Sequence, residues 1–276
     1  MAFLAILIVV LVYSHWVGDH PLQKRVPFAG YQRWFTRRAL VPGVRFALCL
    51  AIPLVVALLL LVLITRLPTG LGAIAGLVLS LVVLFYGIDS INLAQRIEDH
   101  EQWLKSLSAD DEVAAVTARQ HDFMMSAGYR AFQSVHPVLF WFLLLGPIGA
   151  LIYGLSRRYQ QGLNPDDAEA LLLRQVVYWL EWLPVRVSGL IFGLLGNFDA
   201  CMNVWLEDLL SFKASSETLL RELVHKAISE VDYSDVDDIR VFSDMASQDV
   251  SAFQSLLGRT LYGWLGVAAL LTIIGW

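Results

Sequence analysis

The sequence predicts an all-α, polytopic membrane protein. Hydrophobic residues make up 57% of the 276 residues and charged residues only 16%, against about 25% charged in soluble domains. Mean hydropathy is +0.59. Four apolar stretches, at 2–17, 44–64, 71–91 and 257–276, approach or reach the roughly 20 residues that a helix needs to cross a bilayer. A soluble core of this size has no room for so much apolar side chain, so the expected partner is the lipid bilayer. A net charge of −5 and an isoelectric point near 5.6 argue against a nucleic-acid partner. Cys49 and Cys201 lie in apolar stretches with no pairing framework and read as reduced packing residues.

The first stretch lies in MAFLAILIVVLVYSHWVGDHPLQ. It lacks a positive n-region, and no small-x-small site precedes its polar turn, so it reads as an uncleaved anchor, short for a full span. It stops abruptly at SHWVGDHP. His15 and Asp19 are four apart and share a helix face. With His20 they could hold a divalent metal, or they could meet headgroups at the end of the span; no metal is assigned. Asp19, between Gly18 and Pro21, could present a carboxylate to Mg-bound phosphate.

The second and third stretches are joined by TRLPTG, a polar turn with Pro68 and Gly70, and predict a helical hairpin. Gly72 and Gly76 suit close helix packing. Asp89 and Asn92 close the third span in YGIDSINLAQR. They either line a polar site between helices or cap the helix where water begins. Lys24, Arg25, Arg33, Arg37 and Arg38 make the first polar loop cytoplasmic. The polar segments 18–43, 92–130 and 199–250 then lie on that side, with helical character over much of 92–130.

Two apolar stretches are ambiguous. Residues 138–155, VLFWFLLLGPIGALIYGL, carry Gly146-Pro147 at their centre. Proline removes a backbone donor and kinks a helix, so this stretch either crosses with a kink or dips in and returns. A single crossing would put Arg157 and Arg158 outside, which favours re-entry. His136, just before Pro137, reads as a structural donor more readily than as a ligand or base. Residues 185–198, VRVSGLIFGLLGNF, form the second.

Between them, NPDDAEALLLRQVVYWLEWLP predicts a helix with Asn164 as N-cap and Pro165 in the first position, ending near Pro184. Its apolar side carries Leu172, Val176, Trp179 and Leu183, with Arg174, Tyr178 and Glu181 on another face. Arg186 then enters an apolar run and must find a carboxylate, carbonyls or a phosphate. It either pairs with Glu181 to close a bend or clamps an anion. Further on, Leu220, Leu223, Ala227 and Val231 make the seam of an amphipathic helix, with Glu217–Arg221 and Glu222–Lys226 pairs on its surface. An acidic loop follows. Trp264 and Trp276 are placed like interface aromatics in the last span. No catalytic triad or Cys-x-x-Cys arrangement stands out.

The runs VLFWFLLLGPIGALIYGL, EWLPVRVSGLIFGLLGNF and GRTLYGWLGVAALLTIIGW, with the opening VYSHWVGDHPLQ, resemble the AmpE/CobD (CbiB) group of bacterial inner-membrane proteins. The resemblance touches the start, middle and end, so it implies a single membrane domain over 1–276. Leu-Pro-Val-Arg is its most specific element. The CobD branch contains ATP- and Mg-dependent ligases that join aminopropanol or its phosphate to a corrinoid acid. The AmpE branch contains membrane modulators of β-lactamase induction linked to peptidoglycan recycling. CobD-like enzymes carry an Asp before the Gly-Asp element, where this chain reads YSHW. They also carry an Arg-Asp pair and a Glu-Asn…Asp-Gly motif; here that zone is TARQHDFMMSAGYRAFQSVHP, with Asp122 the only acid between Glu112 and His136.

The resemblance is therefore closest to AmpE. It implies a regulatory or sensory protein of the antibiotic response, with a ligase using Mg-ATP as the alternative. A small-molecule carrier fits less well, since the spans are few and no repeat is visible. The resemblance also implies a cytoplasmic-side pocket for a cell-wall-derived small molecule or a nucleotide. Asp19 and Arg186 would face it, and His15, His20, Asp89, Asn92, His136 and Glu181 are further candidates. Gly18, Pro21, Gly146, Pro147 and Pro184 would shape it. No catalytic residue is assigned.

Overall fold

The computed structural model describes residues 2–15, 28–37, 41–89, 93–108, 111–209, 215–228, 233, 236 and 238–275. Among them every regular element is a helix: α1 (Ala2–His15), α2 (Phe28–Thr36), α3 (Pro42–Ile64), α4 (Thr69–Gly87), α5 (Leu93–Lys105), α6 (Val113–Gln161), α7 (Ala168–Leu195), α8 (Phe198–Asp208), α9 (Ser216–Ile228) and α10 (Ile239–Ile273). Four of them, α3, α4, α6 and α10, are by length and composition apolar enough to cross a membrane, α6 only when its two arms are taken as one continuous helix. The chain is an all-α polytopic membrane protein. It divides into two compact units, one of residues 1–90, 134–184 and 267–276, the other of 91–133 and 185–266.

In the first unit, α3 and α4 form the predicted hairpin. Pro42 opens α3, where its missing N–H removes nothing. The turn closes with Arg66 N donating to Leu63 O and Leu67 N to Ile64 O, at 3.0 and 3.1 Å. α4 ends at Gly87 because Ile88 turns extended, sooner than the expected Ile91. The outer faces of this hairpin are leucine, isoleucine and valine, with Leu59, Leu63, Leu71 and Ile74 all exposed. Such faces suit a lipid solvent.

α6 is two helices folded back on each other. Gly146 has φ 64° and ψ −153°, a backbone state that side-chain-bearing residues rarely adopt. A Cβ on Gly87 would sit 3.0 Å from Val138 Cγ1 and 3.6 Å from the Ala150 carbonyl oxygen. On a straight helix those two residues would be about 18 Å apart. A Cβ on Gly149 would collide with the Trp141 carbonyl, and one on Gly154 would lie 2.9 Å from Gly87 Cα. Both arms therefore close onto glycines, and the Gly146-Pro147 break is a reversal rather than a shallow bend.

α7 departs from the sequence expectation twice. It begins at Ala168, after a turn in which Asp167 N donates to Asn164 O at 3.1 Å, so Asn164 and Pro165 lie in the turn rather than at the cap. It also runs through Pro184 to Leu195. A proline at that position strips the Leu180 carbonyl of its helical partner, and the Trp141 indole donates to that carbonyl at 2.8 Å. α3 uses the same device. Pro53 frees the Cys49 carbonyl, which the Tyr31 hydroxyl reaches at 2.9 Å. A borrowed donor lets each helix keep its proline.

The faces of α7 divide by burial. Trp179 and Leu183 face outward, while Leu173, Val177 and Glu181 are buried. In a lipid solvent the apolar stripe turns out and the ionisable group turns in.

The second unit has a conventional core, built from Leu104, Phe132, Leu220, Leu223, Phe242 and Phe253 among others. The α9 seam packs as expected at Leu220, Leu223 and Ala227; Val231 lies outside the described residues. Glu217 and Arg221 form the expected surface pair. Asn197 caps α8 by accepting from Ala200 N at 3.3 Å. Cys49 and Cys201 are unpaired, buried thiols.

Candidate functional site

The first unit holds a cluster of buried polar groups. Arg45 lies in the first turn of α3, the wrong end of a helix for a cation. It is held there by Glu169, in the first turn of α7, where an acid suits the dipole. Arg45 Nε donates to Glu169 Oε1 at 3.2 Å, and Nη2 reaches Oε2 at 2.7 Å. This is the two-pronged geometry that a guanidinium offers a carboxylate. The Tyr159 hydroxyl, from the end of α6, donates to Glu169 Oε1 at 2.6 Å. Gln32 of α2 donates from Nε2 to the Tyr159 carbonyl at 2.9 Å. Gly162 leaves room for that amide, since a Cβ there would strike it. Four helices thus meet on one carboxylate and its neighbours. Next to it, burial pushes the Tyr31 phenol up to about 12, so it stays a protonated donor to Cys49 O.

Two further ties lie in the same unit. Glu181 is buried and accepts from the Tyr153 hydroxyl at 2.9 Å. Arg158 donates to the Tyr86 carbonyl at 2.6 Å and sits 4.5 Å over the Tyr86 ring. That carbonyl belongs to the last turn of α4, which lacks helical partners.

The sequence-derived candidates distribute as follows. Gly18, Asp19, His20, Pro21 and Asn92 lie outside the described residues, as does the side chain of His15, which ends α1. Asp89 accepts from Gln161 Nε2 at 2.8 Å, and its N–H donates to the Ser134 carbonyl at 3.3 Å. This joins Asp89 to the segment that leads into His136, which is buried. Asp89, His136 and Glu181 all belong to the first unit.

Arg186 belongs to the second. It donates from Nε to Leu209 O at 2.7 Å and from Nη2 to Asp208 O at 3.2 Å. Trp205 Nε1 returns a bond to the Arg186 carbonyl at 2.7 Å. Carbonyls at the negative end of α8 are thus among the partners of Arg186.

Sequence reasoning missed Arg45, Tyr159, Glu169 and Gln32. One signal was present: Arg45 is the charge within PGVRFALCL, and an ionisable residue at the mouth of a span needs a named partner. The partner lies 124 residues away, which spacing cannot reveal. Among the described residues no three His, Cys, Asp or Glu side chains converge to hold a metal. The cluster holds helices in register: a carboxylate fixed by a guanidinium and a phenol ties α3, α6 and α7 together.

The family model described as "Regulatory signalling modulator protein AmpE" matches residues 4–274 of this chain. A protein named AmpE from Shigella flexneri is 26% identical over 144 residues, which make up 50% of this chain and 47% of that protein. The matched stretch thus spans about half of that relative's length. No solved structure matches the chain significantly.

Proposed function

The chain belongs to the AmpE family, and from that membership we propose that it is a regulatory protein of the bacterial inner membrane that modulates β-lactamase induction and reads the state of peptidoglycan recycling. The match along residues 4–274 carries this reading. The architecture agrees with it. One unit turns apolar side chains outward and ties Glu169 and Glu181 inside. The other has a core of its own beneath amphipathic helices. In this reading the polar segments are mainly cytoplasmic, and the folded-back arms of α6 enter the bilayer and return. The reversal at Gly146 supports re-entry, because the apolar part of each arm is shorter than the roughly 20 residues of a span.

The test is a chromosomal deletion in the native host, followed by β-lactamase activity with and without an inducing β-lactam. Deletion is expected to change the induced level, and the plasmid-borne wild-type chain to restore it. Glu169→Gln, checked for membrane abundance, is expected to restore it poorly. An induced level indifferent to deletion contradicts the proposal.

A further inference from the structure

The second unit contains a cleft of about 530 Å³ that the regulatory reading does not use. That volume falls within the range of small-molecule sites. Its walls come from two helices that present the same pattern. α5 contributes Arg96, Asp99, His100 and Trp103, from RIEDHEQW; α6 contributes Arg119, Asp122, Phe123 and Ser126, from RQHDFMMS. Each set falls at i, i+3, i+4 and i+7, which is one helix face.

The two faces meet antiparallel. His100 stacks on Phe123 with ring centroids 3.7 Å apart and planes 3° from parallel, and Arg119 lies 4.2 Å over the Trp103 ring. His100 is also held by Gln120, whose amide donates to the Ala246 carbonyl at 3.3 Å. The centre of the pattern is therefore rigid. Its two ends differ: Arg119 is engaged by the Trp103 ring, while the corresponding position opposite Arg96 in the pattern is the small Ser126. Arg221 of α9 completes the wall.

The charges in this cleft do not neutralise one another. Among the described residues no ion pair joins Arg96, Arg119 or Arg221 to Asp99 or Asp122. Arg221 pairs with Glu217 through one terminal nitrogen, and its Nε is buried with no hydrogen-bond partner in the structure. Arg96 and Arg221 line the cleft, and guanidinium groups recognise oxyanions through paired N–H bonds. The two carboxylates accept only, so they suit hydroxyl donors on the same ligand.

We propose that this cleft binds a phosphate ester carried on a hydroxyl-bearing small molecule. Arg96 and Arg221 hold the phosphate; Asp99 and Asp122 take the hydroxyl hydrogens; the His100–Phe123 stack forms the floor. The site stands on its own residues and does not depend on a role in β-lactamase induction.

Calorimetry on the purified full-length protein in detergent tests it, with inorganic pyrophosphate, ribose 5-phosphate and ribose as soluble probes and short-chain phosphatidylglycerol as the lipid probe. Saturable binding of ribose 5-phosphate but not ribose is expected. Arg96→Gln and Arg221→Gln should each weaken it about tenfold or more. Arg96→Lys keeps the charge without the fork and should fall between. Asp99→Asn with Asp122→Asn should leave pyrophosphate binding intact or tighter and erase the gain from the hydroxyls. Binding confined to phosphatidylglycerol, with the same arginine dependence, assigns the phosphate to a lipid headgroup. No saturable binding of any phosphate probe overturns the proposal. So does binding unchanged by both arginine substitutions in proteins that keep the wild-type melting midpoint.

Discussion

In the first unit Leu59 is 62% exposed and Glu181 only 1%, whereas in the second Leu223 is fully buried and Arg119 and Asp122 face outward. One chain thus sorts its side chains by two opposite rules. The second unit follows the rule of water, with apolar groups in a shared core and, Arg186 apart, its charges at or near the surface. The first buries Glu169 and Glu181 against partners and lets leucine and valine face out along its apolar helices, as a lipid solvent requires. Hydrophobicity alone does not say which side of a helix is inside; the solvent decides. α7 shows this within one element, since its apolar stripe at Trp179 and Leu183 points outward and Glu181 points in.

The largest expected effect is at the buried ion pair. Glu169→Gln leaves the Arg45 guanidinium without its charge partner and should cost about 3–5 kcal/mol, read as a drop in the melting midpoint in detergent. A cost near zero would mean that the first unit does not depend on its polar interior. Next is a matched pair of truncations. Leu223→Ala opens a cavity in the second unit and should cost about 2–5 kcal/mol. Leu59→Ala removes the same atoms from an outward face and should change stability by less than about 0.5 kcal/mol. Equal costs at the two sites would erase the contrast between the units.

Glycine substitutions give a smaller, sharper test. Gly149→Ala pushes a methyl into the Trp141 carbonyl where the arms of α6 close and should cost about 1–3 kcal/mol. Gly258→Ala in α10 meets nothing within 4 Å, so the better helix former should add about 0.5–1 kcal/mol.

The smallest effect is a pH dependence confined to the second unit. Burial first, and Arg119 after it, hold the His100 ring below the usual histidine value; the Gln120 bond and Glu101 pull the other way. The folded state therefore keeps His100 neutral while the unfolded chain takes up a proton near pH 6.5. Stability is full above about pH 6.5 and declines as the pH falls below it, until the depressed folded value is reached. His100→Gln should flatten that decline, as followed by urea unfolding at about pH 7.5 and 5.5. An unchanged slope would remove His100 as its source.

Much of the fold was legible because local rules governed it. The α3–α4 hairpin follows from two apolar runs and the TRLPTG turn, and the break in α6 from Gly146-Pro147. The α9 seam follows from its spacing. What escaped depended on partners distant in sequence. Pro184 stops a helix only if nothing replaces its lost bond, and Trp141, which supplies the donor, lies 39 residues from the carbonyl it serves. Arg45 had no readable mate because Glu169 reads as an ordinary first-turn acid. Of the candidates for the predicted pocket, Asp89, His136 and Glu181 share a unit, and Arg186, in the other, reaches carbonyls at the end of α8, 22 and 23 residues along the chain, which spacing does not reveal.

The most direct test is site-directed spin labelling in nanodiscs, comparing collisions with oxygen, which concentrates in lipid, and with a water-soluble nickel chelate. Labels at Leu59 and Val78 in the first unit and at Glu98 and Glu112 in the second all occupy outward positions. The expected result is oxygen dominance at Leu59 and Val78 and nickel dominance at Glu98 and Glu112. Nickel access at Leu59 and Val78 equal to that at Glu98 would place both units in one solvent and contradict the division of the chain between lipid and water.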